Sequence, residues 1–291
     1  MHIGKQARAG DAHNWFDTVQ GTRAVAVPEL YHERDLDPGS EEILLERADF
    51  FIRLATTRGH RRQASMLIHR LYSWRGYAWE ATGDLPHDAN HMTLQACGPQ
   101  GPFGTLSLRL DSGRGLLADE LYRGDIDSYR RGGGRVCELV WFAVEQDYGS
   151  KEMLACLFQL IYIYSRRVHR MSDIFVEVNP RHVAFYEQRL DFTRVGETKI
   201  CERVGAPAVL LHLDLEHVDG VLALDKDQRG KDSRSLYRYF LSPEEQEGLC
   251  RRILGDEIDD REYDSRPAPG MRRPHVEGSE ISPRSKPAHR N

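Results

Sequence analysis

Two apolar runs, about three dozen residues apart, limit what this chain can fold into more than any other feature. The later one reads Ile174-Phe-Val-Glu-Val-Asn-Pro-Arg-His-Val-Ala-Phe-Tyr-Glu-Gln-Arg-Leu-Asp-Phe192, and the earlier one Cys137-Glu-Leu-Val-Trp-Phe-Ala-Val144. Residues 174–178 are β-branched and aromatic, which suits a buried strand. Asn179 is a strong N-cap residue, and Pro180 fits the first helical position because its missing N–H would be unpaired there anyway. Spacings of three and four then put Val183, Tyr186 and Leu190 on one side of a helix. Between the runs, residues 153–164 are apolar enough for a helix buried on most of its surface. That helix is too short, and too interrupted by Gln159, to cross a bilayer. The order is strand, loop, helix, strand, helix, strand, with one acid on the first strand and one tyrosine on the last helix.

The remaining segments are less regular. Residues 1–39 are polar and mixed, with Pro28 and Pro38 and no sustained period, and a loosely attached arm is expected. From Ser40, a cap residue followed by Glu41 and Glu42, the spacing of Ile43, Leu44, Ala48, Phe51, Ile52 and Ala55 predicts a helix. A second helix is predicted through Met66, Leu67, His69, Leu71 and Tyr72, ending near Gly76. Residues 91–96 and 104–110 alternate as paired strands around the turn Gly98-Pro-Gln-Gly-Pro102. Residues 115–129 read as loop and helix, and Arg130-Arg-Gly-Gly-Gly-Arg135 turns into the strand that holds Glu138. Two further strands are predicted at 194–204 and 208–215. The main domain is thus 40–220, followed by a small helical appendix over 221–255 with a helix start at Ser242-Pro-Glu-Glu245. From 256 to 291 the chain is rich in Pro, Arg, Ser and acids and has too few apolar residues to offset chain entropy, so a disordered tail is expected.

A formal net charge of −5 gives no indication of wholesale nucleic-acid binding. Of the 40 basic residues 34 are arginine, which favours planar carboxylate or phosphate contacts unless genome composition alone sets the ratio. Cys97, Cys137, Cys156, Cys201 and Cys250 show no C-x-x-C spacing, so reduced thiols are expected in place of a disulfide framework or a zinc site. No histidine spacing of the H-E-x-x-H kind is present, and no metal is expected. No apolar core follows Met1-His-Ile-Gly-Lys5, so no signal peptide is expected and the cytoplasm is the default location.

The Glu138-x-x-x-x-Ala-Val144 strand and the Phe185-Tyr-x-x-x-x-x-Phe192 run together resemble the GNAT acyltransferase superfamily. More narrowly, residues 42–216 resemble the FeeM-type long-chain N-acyl amino acid synthases. The segments that carry this are Gly104-Thr-Leu-Ser-Leu-Arg-Leu-Asp-Ser112, Gly115-Leu-Leu-Ala-Asp-Glu120, Cys137-Glu-Leu139, Val178-Asn-Pro-Arg-His-Val183 and Ala206-Pro-Ala-Val-Leu-Leu211. The Asn-Pro-Arg-His-Val-x-Phe-Tyr run is the specific one. Members of that family are similar to acyl-homoserine lactone synthases and take long acyl chains from an acyl carrier protein. The resemblance implies an α/β (α+β) fold with a mixed, mostly antiparallel, twisted central sheet flanked by helices. It implies an N-acyltransferase that condenses an acyl group, presented as a carrier-protein thioester, with the amine of an amino acid. The phosphopantetheine then arrives with the carrier and no cofactor is bound permanently. An acyl-coenzyme A-dependent N-acetyltransferase and a non-catalytic acyl-binding module are the alternatives.

Three positions depart from the resemblance. Enzymes of the superfamily that bind free coenzyme A hold its pyrophosphate on a Gly-rich loop opening the helix after the acid-bearing strand. Here that place reads Glu145-Gln-Asp-Tyr-Gly-Ser-Lys-Glu152, with one glycine and several acids; a single phosphodiester would suffer less there. A Ser-Arg pair that follows the glutamate in many relatives is Val140-Trp141, and a glycine before the final Phe is Asp191.

The same resemblance assigns candidate roles. Glu138 stands where relatives often hold a base acting directly or through water, the plain alternative being a charged strand end paired with an arginine. Tyr186 matches a helix tyrosine that protonates the departing thiolate, a task open to a phenol of pKa ~10, or else is a core aromatic. Val140, Phe142, Ala143 and Val144 would offer backbone N–H groups to the pantetheine and the thioester oxygen, an oxyanion-type contribution of ~3 kcal/mol, or simply pair in the sheet. Asn179 and Lys151 complete the donor side, Lys151 as a partner for phosphate. Arg109 would pair an amino-acid carboxylate bidentately, or else form a surface ion pair, and Arg181 is the second substrate-binding candidate, or else a residue of the helix surface. Arg130, Arg131 and Arg135 form a candidate patch for an acidic carrier, against the default of solvated loop charge.

Overall fold

A computed structural model describes residues 43–78, 84–86, 88–229 and 234–254; the expected arm over 1–39 and tail over 256–291 lie outside the described residues. The chain opens with β1 (Ile43–Glu46) and β2 (Phe51–Leu54), an antiparallel hairpin where the apolar spacing predicts a helix. Tertiary pairing overrides that local pattern. Phe51 to Leu54 add to the next strand in register, Ile52 opposite Ala96 and Arg53 opposite Gln95. Leu44 and Leu45 are both buried in this arrangement. The Arg53 guanidinium is held inside by Gln95 and Gln63.

The predicted second helix is present as α1 (Arg58–Trp74), capped by Thr57, whose hydroxyl accepts from the His60 N–H at 3.1 Å. There follow β3 (His91–Gly98), β4 (Gly101–Leu110), α2 (Asp119–Arg131) and β5 (Val136–Val144). Then come α3 (Lys151–Tyr162), which runs on as a π-helical turn over Ile163–Val168, β6 (Asp173–Val178) and α4 (Val183–Leu190). The chain closes with β7 (Thr193–Arg194), β8 (Lys199–Cys201), β9 (Ala206–Asp214), α5 (Leu215–Leu222) and α6 (Pro243–Leu254).

Eight strands lie side by side in the order β1-β2-β3-β4-β5-β6-β9-β7, and β8 continues along the free edge of β9. Every pairing is antiparallel except β5 with β6, so the sheet is mixed and mostly antiparallel, as expected. The single strand predicted over 194–204 is broken into β7 and β8. Between them the N–H groups of Val195 and Gly196 both point to the Leu210 carbonyl, which interrupts the ladder.

Period-2 alternation sorts the side chains of β5 and β6. Val136 and Phe175 pack with Tyr122 and Ile126 of α2 on one face, while Cys137, Leu139, Ile174 and Val176 face α3 and α4. α1 lies over the far end of β5, where Ala64 and Ile68 meet Ala143. Gln159 has a definite task inside the apolar α3. Its Oε1 accepts from the Leu241 N–H at 2.6 Å and its Nε2 donates to Gln246 Oε1 at 3.1 Å. Leu236, Tyr237, Phe240, Leu241, Leu249 and Cys250 thereby share the core beside α3.

Candidate active site

The site begins as a disagreement between two strands. β5 and β6 pair in parallel only from Val136/Asp173 to Leu139/Val176, although β5 continues to Val144 and β6 to Val178. The cause lies on the other edge of β5. Its register against β4 slips between Ser107/Val140 and Thr105/Ala143, so Trp141 and Phe142 together oppose Leu106. This is a β-bulge, which bends the strand and re-aims its side chains. Trp141 takes a left-handed φ of 54°, an uncommon conformation for a large side chain. Its indole stacks on His91, with ring centroids 5.9 Å apart and planes 12° apart.

The gap between the strands is a cavity of about 540 Å³. Leu139 to Val144 line one wall and Val176 to Asn179 the other. The end of α1, Leu117, Phe185, Tyr186 and the turn into β9 close the rest.

Glu138 sits at the closed end of this cavity, on the last paired rungs, and is 1% exposed. Its two oxygens accept backbone N–H groups at the start of α2, Oε2 from Leu117 at 2.7 Å and Oε1 from Ala118 at 3.1 Å. Burial opposes ionisation and those two donors favour it. Burial wins, and the carboxyl is pushed up to about 7. Glu177 and Glu120 also line the cavity, but both face Arg203, whose Nη2 donates to Glu177 at 3.0 Å and whose Nε lies 2.7 Å from Glu120. Glu138 is the acid of this group held by backbone donors.

Tyr186 reaches the cavity from α4 and is 4% exposed. Phe158, Phe185 and Phe192 pack edge-on to its ring. Burial, with a further contribution from Tyr72, raises its phenol well above the ordinary value, so it carries its proton at neutral pH. Asn179 ties the end of β6 to the start of β9: its Oδ1 accepts from the Arg181 N–H at 3.2 Å and its Nδ2 donates to the Pro207 carbonyl at 3.1 Å.

Seven of the ten residues singled out from the sequence therefore line one cavity: Glu138, Val140, Phe142, Ala143, Val144, Asn179 and Tyr186. Arg181 stands at its rim, donating to the hydroxyl of cavity-lining Tyr77 at 2.6 Å. Arg109 and Lys151 are not brought there. Arg109 lies opposite Glu138 in the ladder, but its guanidinium donates to the Gly115 carbonyl at 2.9 and 3.1 Å and meets His91 at 3.2 Å. It fixes the loop whose N–H groups hold Glu138 and is not among the residues that line the cavity. Lys151 is exposed at the first position of α3, one residue after the Ser150 cap. Of the arginine patch, Arg130 is committed to Asp111, Asp119 and Asp127, while Arg131 and Arg135 are exposed.

Sequence reasoning missed Tyr72, Arg75 and Arg203 as cavity residues. For Glu177 a signal existed, since strand parity puts it on the same face as Phe175, which pairs with Glu138. For Arg75 none did, because only the packing of α1 against the bulge brings it near. Among the described residues no helix is long and apolar enough to cross a membrane, and no cluster of metal-ligating side chains occurs.

The comparisons with known proteins agree with this geometry. The family described as N-acyl amino acid synthase FeeM matches residues 63–214, from α1 to the end of β9. Among solved structures, that of FeeM, an N-acyl amino acid synthase from uncultured soil microbes, is similar with a TM-score of 0.52 and 24% identity, over 57% of this chain and 92% of that one. A putative N-acetyltransferase from Lactobacillus plantarum is similar at 16% identity and a TM-score of 0.41, over 57% of this chain and 99% of that one. No curated protein matches. With its splayed parallel pair, bulged central strand and matched segment, the chain has the GNAT fold and belongs to the FeeM N-acyl amino acid synthase family of acyltransferases.

Proposed function

We propose that the chain transfers a long acyl group from the thioester of an acyl carrier protein to the amine of an amino acid, giving an N-acyl amino acid. The observation that carries this reading is the buried Glu138, poised near neutrality at the closed end of a largely apolar cavity. Aminolysis of a thioester needs a neutral amine, and an amino acid arrives as an ammonium. A carboxyl with a pKa near 7 takes up that proton, directly or through water, at the pH where both forms coexist.

The amine nitrogen then attacks the thioester carbonyl, the new C–N bond forms and the C–S bond breaks. Backbone N–H groups of β5, where the strand parts from β6, serve the carbonyl oxygen as negative charge builds there. Tyr186, kept protonated by burial, gives its proton to the departing thiolate and is reprotonated, through water, by the second proton that the nitrogen sheds as the amide forms, while the first ammonium proton leaves through Glu138. Val140, Ala143 and Val144, with Phe185, supply an apolar lining that keeps water from the thioester.

A carrier-borne donor suits the turn before α3 better than free coenzyme A does. Glu145 and Asp147 occupy the place where a pyrophosphate would lie, and Glu145 is already ion-paired with Arg70. The five buried free cysteines agree with a reducing compartment, and we assign the protein to the cytoplasm on that ground.

The test is incubation of the purified protein with C14 to C16 acyl-carrier protein and mixed amino acids, with mass spectrometry of the products. A parallel arm supplies acyl-coenzyme A. N-acyl amino acid from the carrier arm, reduced in Glu138→Gln, is the expected result. Product from coenzyme A alone replaces the carrier in the reading, and no product from either donor overturns it.

A further inference from the structure

The structure leaves two guanidinium groups side by side at the rim of the cavity, and the described residues place no acid beside them. Several arginines of this fold are matched to carboxylates, and Arg53, Arg109 and Arg229 are held by amide or carbonyl oxygens. Arg203 faces Glu177 and Glu120, Arg130 faces three aspartates, and Arg166 faces Asp219. Among the described residues, Arg75 and Arg181 are paired with no carboxylate and use only part of their donors within the fold. Arg75 ends α1 and lines the cavity. Its Nη1 donates to the Leu71 carbonyl at 3.2 Å, one of five N–H groups on a guanidinium. Burial and the neighbouring Arg181 hold its pKa below the ordinary value, against opposing contributions from Tyr72 and Tyr77. Arg181 is held in place by donating to Tyr77 Oη at 2.6 Å and to His182 Nε2 at 3.2 Å, with its Cζ 5.2 Å from the centre of the Tyr77 ring. His182 is driven down to about 4 by burial and by the same two arginines, so its ring stays neutral and accepts from Arg181.

We propose that Arg75 and Arg181 form a subsite for one phosphate, which takes the phosphodiester of the donor's phosphopantetheine arm. This deepens the function proposed above and rests on it. Position selects phosphate over the acceptor's carboxylate. Tyr72, on the last turn of α1, reaches the Phe142 carbonyl at 3.5 Å, so this end of the helix stands over β5 four residues beyond Glu138. At the rise of a strand that is on the order of 10 Å from the acid. One carbon separates the amine and carboxyl of an α-amino acid, too little to cover that distance. A pantetheine arm is long enough. Two planar forks can also reach both non-bridging oxygens of a phosphodiester, while the acidic turn before α3 offers a pyrophosphate little.

The experiment compares two soluble donors with the same acyl chain, S-acyl-pantetheine and S-acyl-4′-phosphopantetheine, in the full chain and in Arg75→Gln and Arg181→Gln. The readout is the ratio of kcat/KM between the donors. Charge-assisted contacts to phosphate predict that the phosphate raises kcat/KM about tenfold or more in the parent protein, and that each substitution brings the ratio towards one. A ratio near one in the parent, or one unchanged by both substitutions, overturns the subsite while leaving the proposed function standing. A third arm replaces the amino acid by its amide. If the variants lose the preference for a free carboxylate instead, the subsite belongs to the acceptor and the proposal fails. If no donor supports transfer, the function proposed above fails. Titration calorimetry with 4′-phosphopantetheine and pantetheine then decides the subsite alone, equal affinities overturning it. Arg181 is exposed, so its substitution tests the site without a large risk to folding.

Discussion

Leu117 donates its backbone N–H to Glu138 Oε2 at 2.7 Å, and this bond joins the loop before α2 to the strand beside the cavity. With the Ala118 donor it makes the carboxylate usable in a place where burial alone would abolish it. The outcome is an acid near 7, and two consequences can be measured.

The base form grows as pH rises, so kcat/KM for acyl transfer should climb with unit slope below pH 7 and level off above it. Glu138→Gln removes that limb and lowers the rate roughly 10²- to 10⁴-fold. A limb near 7 that survives in the variant would assign it to another group.

Stability should move in the opposite direction. The native carboxyl holds its proton to about 7 and the unfolded one only to 4.5, so between these values the native state binds more protons. Stability therefore falls as pH rises through that window, by at most about 3 kcal/mol, and is flat on either side for this group. Denaturant midpoints of the parent should converge on those of Glu138→Gln as pH drops, and parallel curves would refute the shift.

Tyr186→Phe separates chemistry from packing. The phenyl ring keeps the contacts with Phe158, Phe185 and Phe192, so the fold should tolerate the change. With an alkyl thioester donor kcat should fall by roughly 10²-fold, since the thiolate leaves without its acid. An aryl thioester, whose thiolate needs no proton to depart, should react at nearly the parent rate. Equal losses with both donors would reduce Tyr186 to a core aromatic.

How far the sequence was legible follows from which interactions are local. Residues 174–192 were readable because strand, Asn179 cap, Pro180 and helix face all agree with one another. Asp191 adopts the left-handed cap, φ 57°. The hairpin of β1 and β2 was not readable. Its apolar spacing fits a helix, and only the edge of β3, far along the chain, selects strands. The cavity was half legible for the same reason. Parity and motif placed Glu138 and Tyr186, whereas Arg75 arrives by packing, and Arg109 is turned away by a carbonyl in a loop whose path no periodicity encodes.

Gly196 shows why β7 and β8 are separate. A Cβ there would lie 2.7 Å from the Tyr122 ring and 3.1 Å from Leu210 Cβ. The ring is held in place, because its hydroxyl shares its one proton between the carbonyls of Glu197 and Ala208, at 2.9 and 2.8 Å. Gly196→Ala should cost about 1–3 kcal/mol and loosen the cavity wall at Ala208. In the background Tyr122→Leu, which removes the ring, much of that cost should disappear. A full cost in both backgrounds would place the clash elsewhere.

Trp141 offers a direct test of the bulge. At an ordinary strand position glycine is about 0.5–1 kcal/mol worse than alanine. With φ at 54°, alanine keeps the strain and glycine releases it. Both Trp141→Gly and Trp141→Ala lose the stack on His91, so their difference isolates the backbone. Trp141→Gly should be the more stable of the two by about 1 kcal/mol in denaturant titrations. The reverse order would mean that β5 runs regularly through Trp141, and a regular β5 would leave no splay against β6 and no cavity between them.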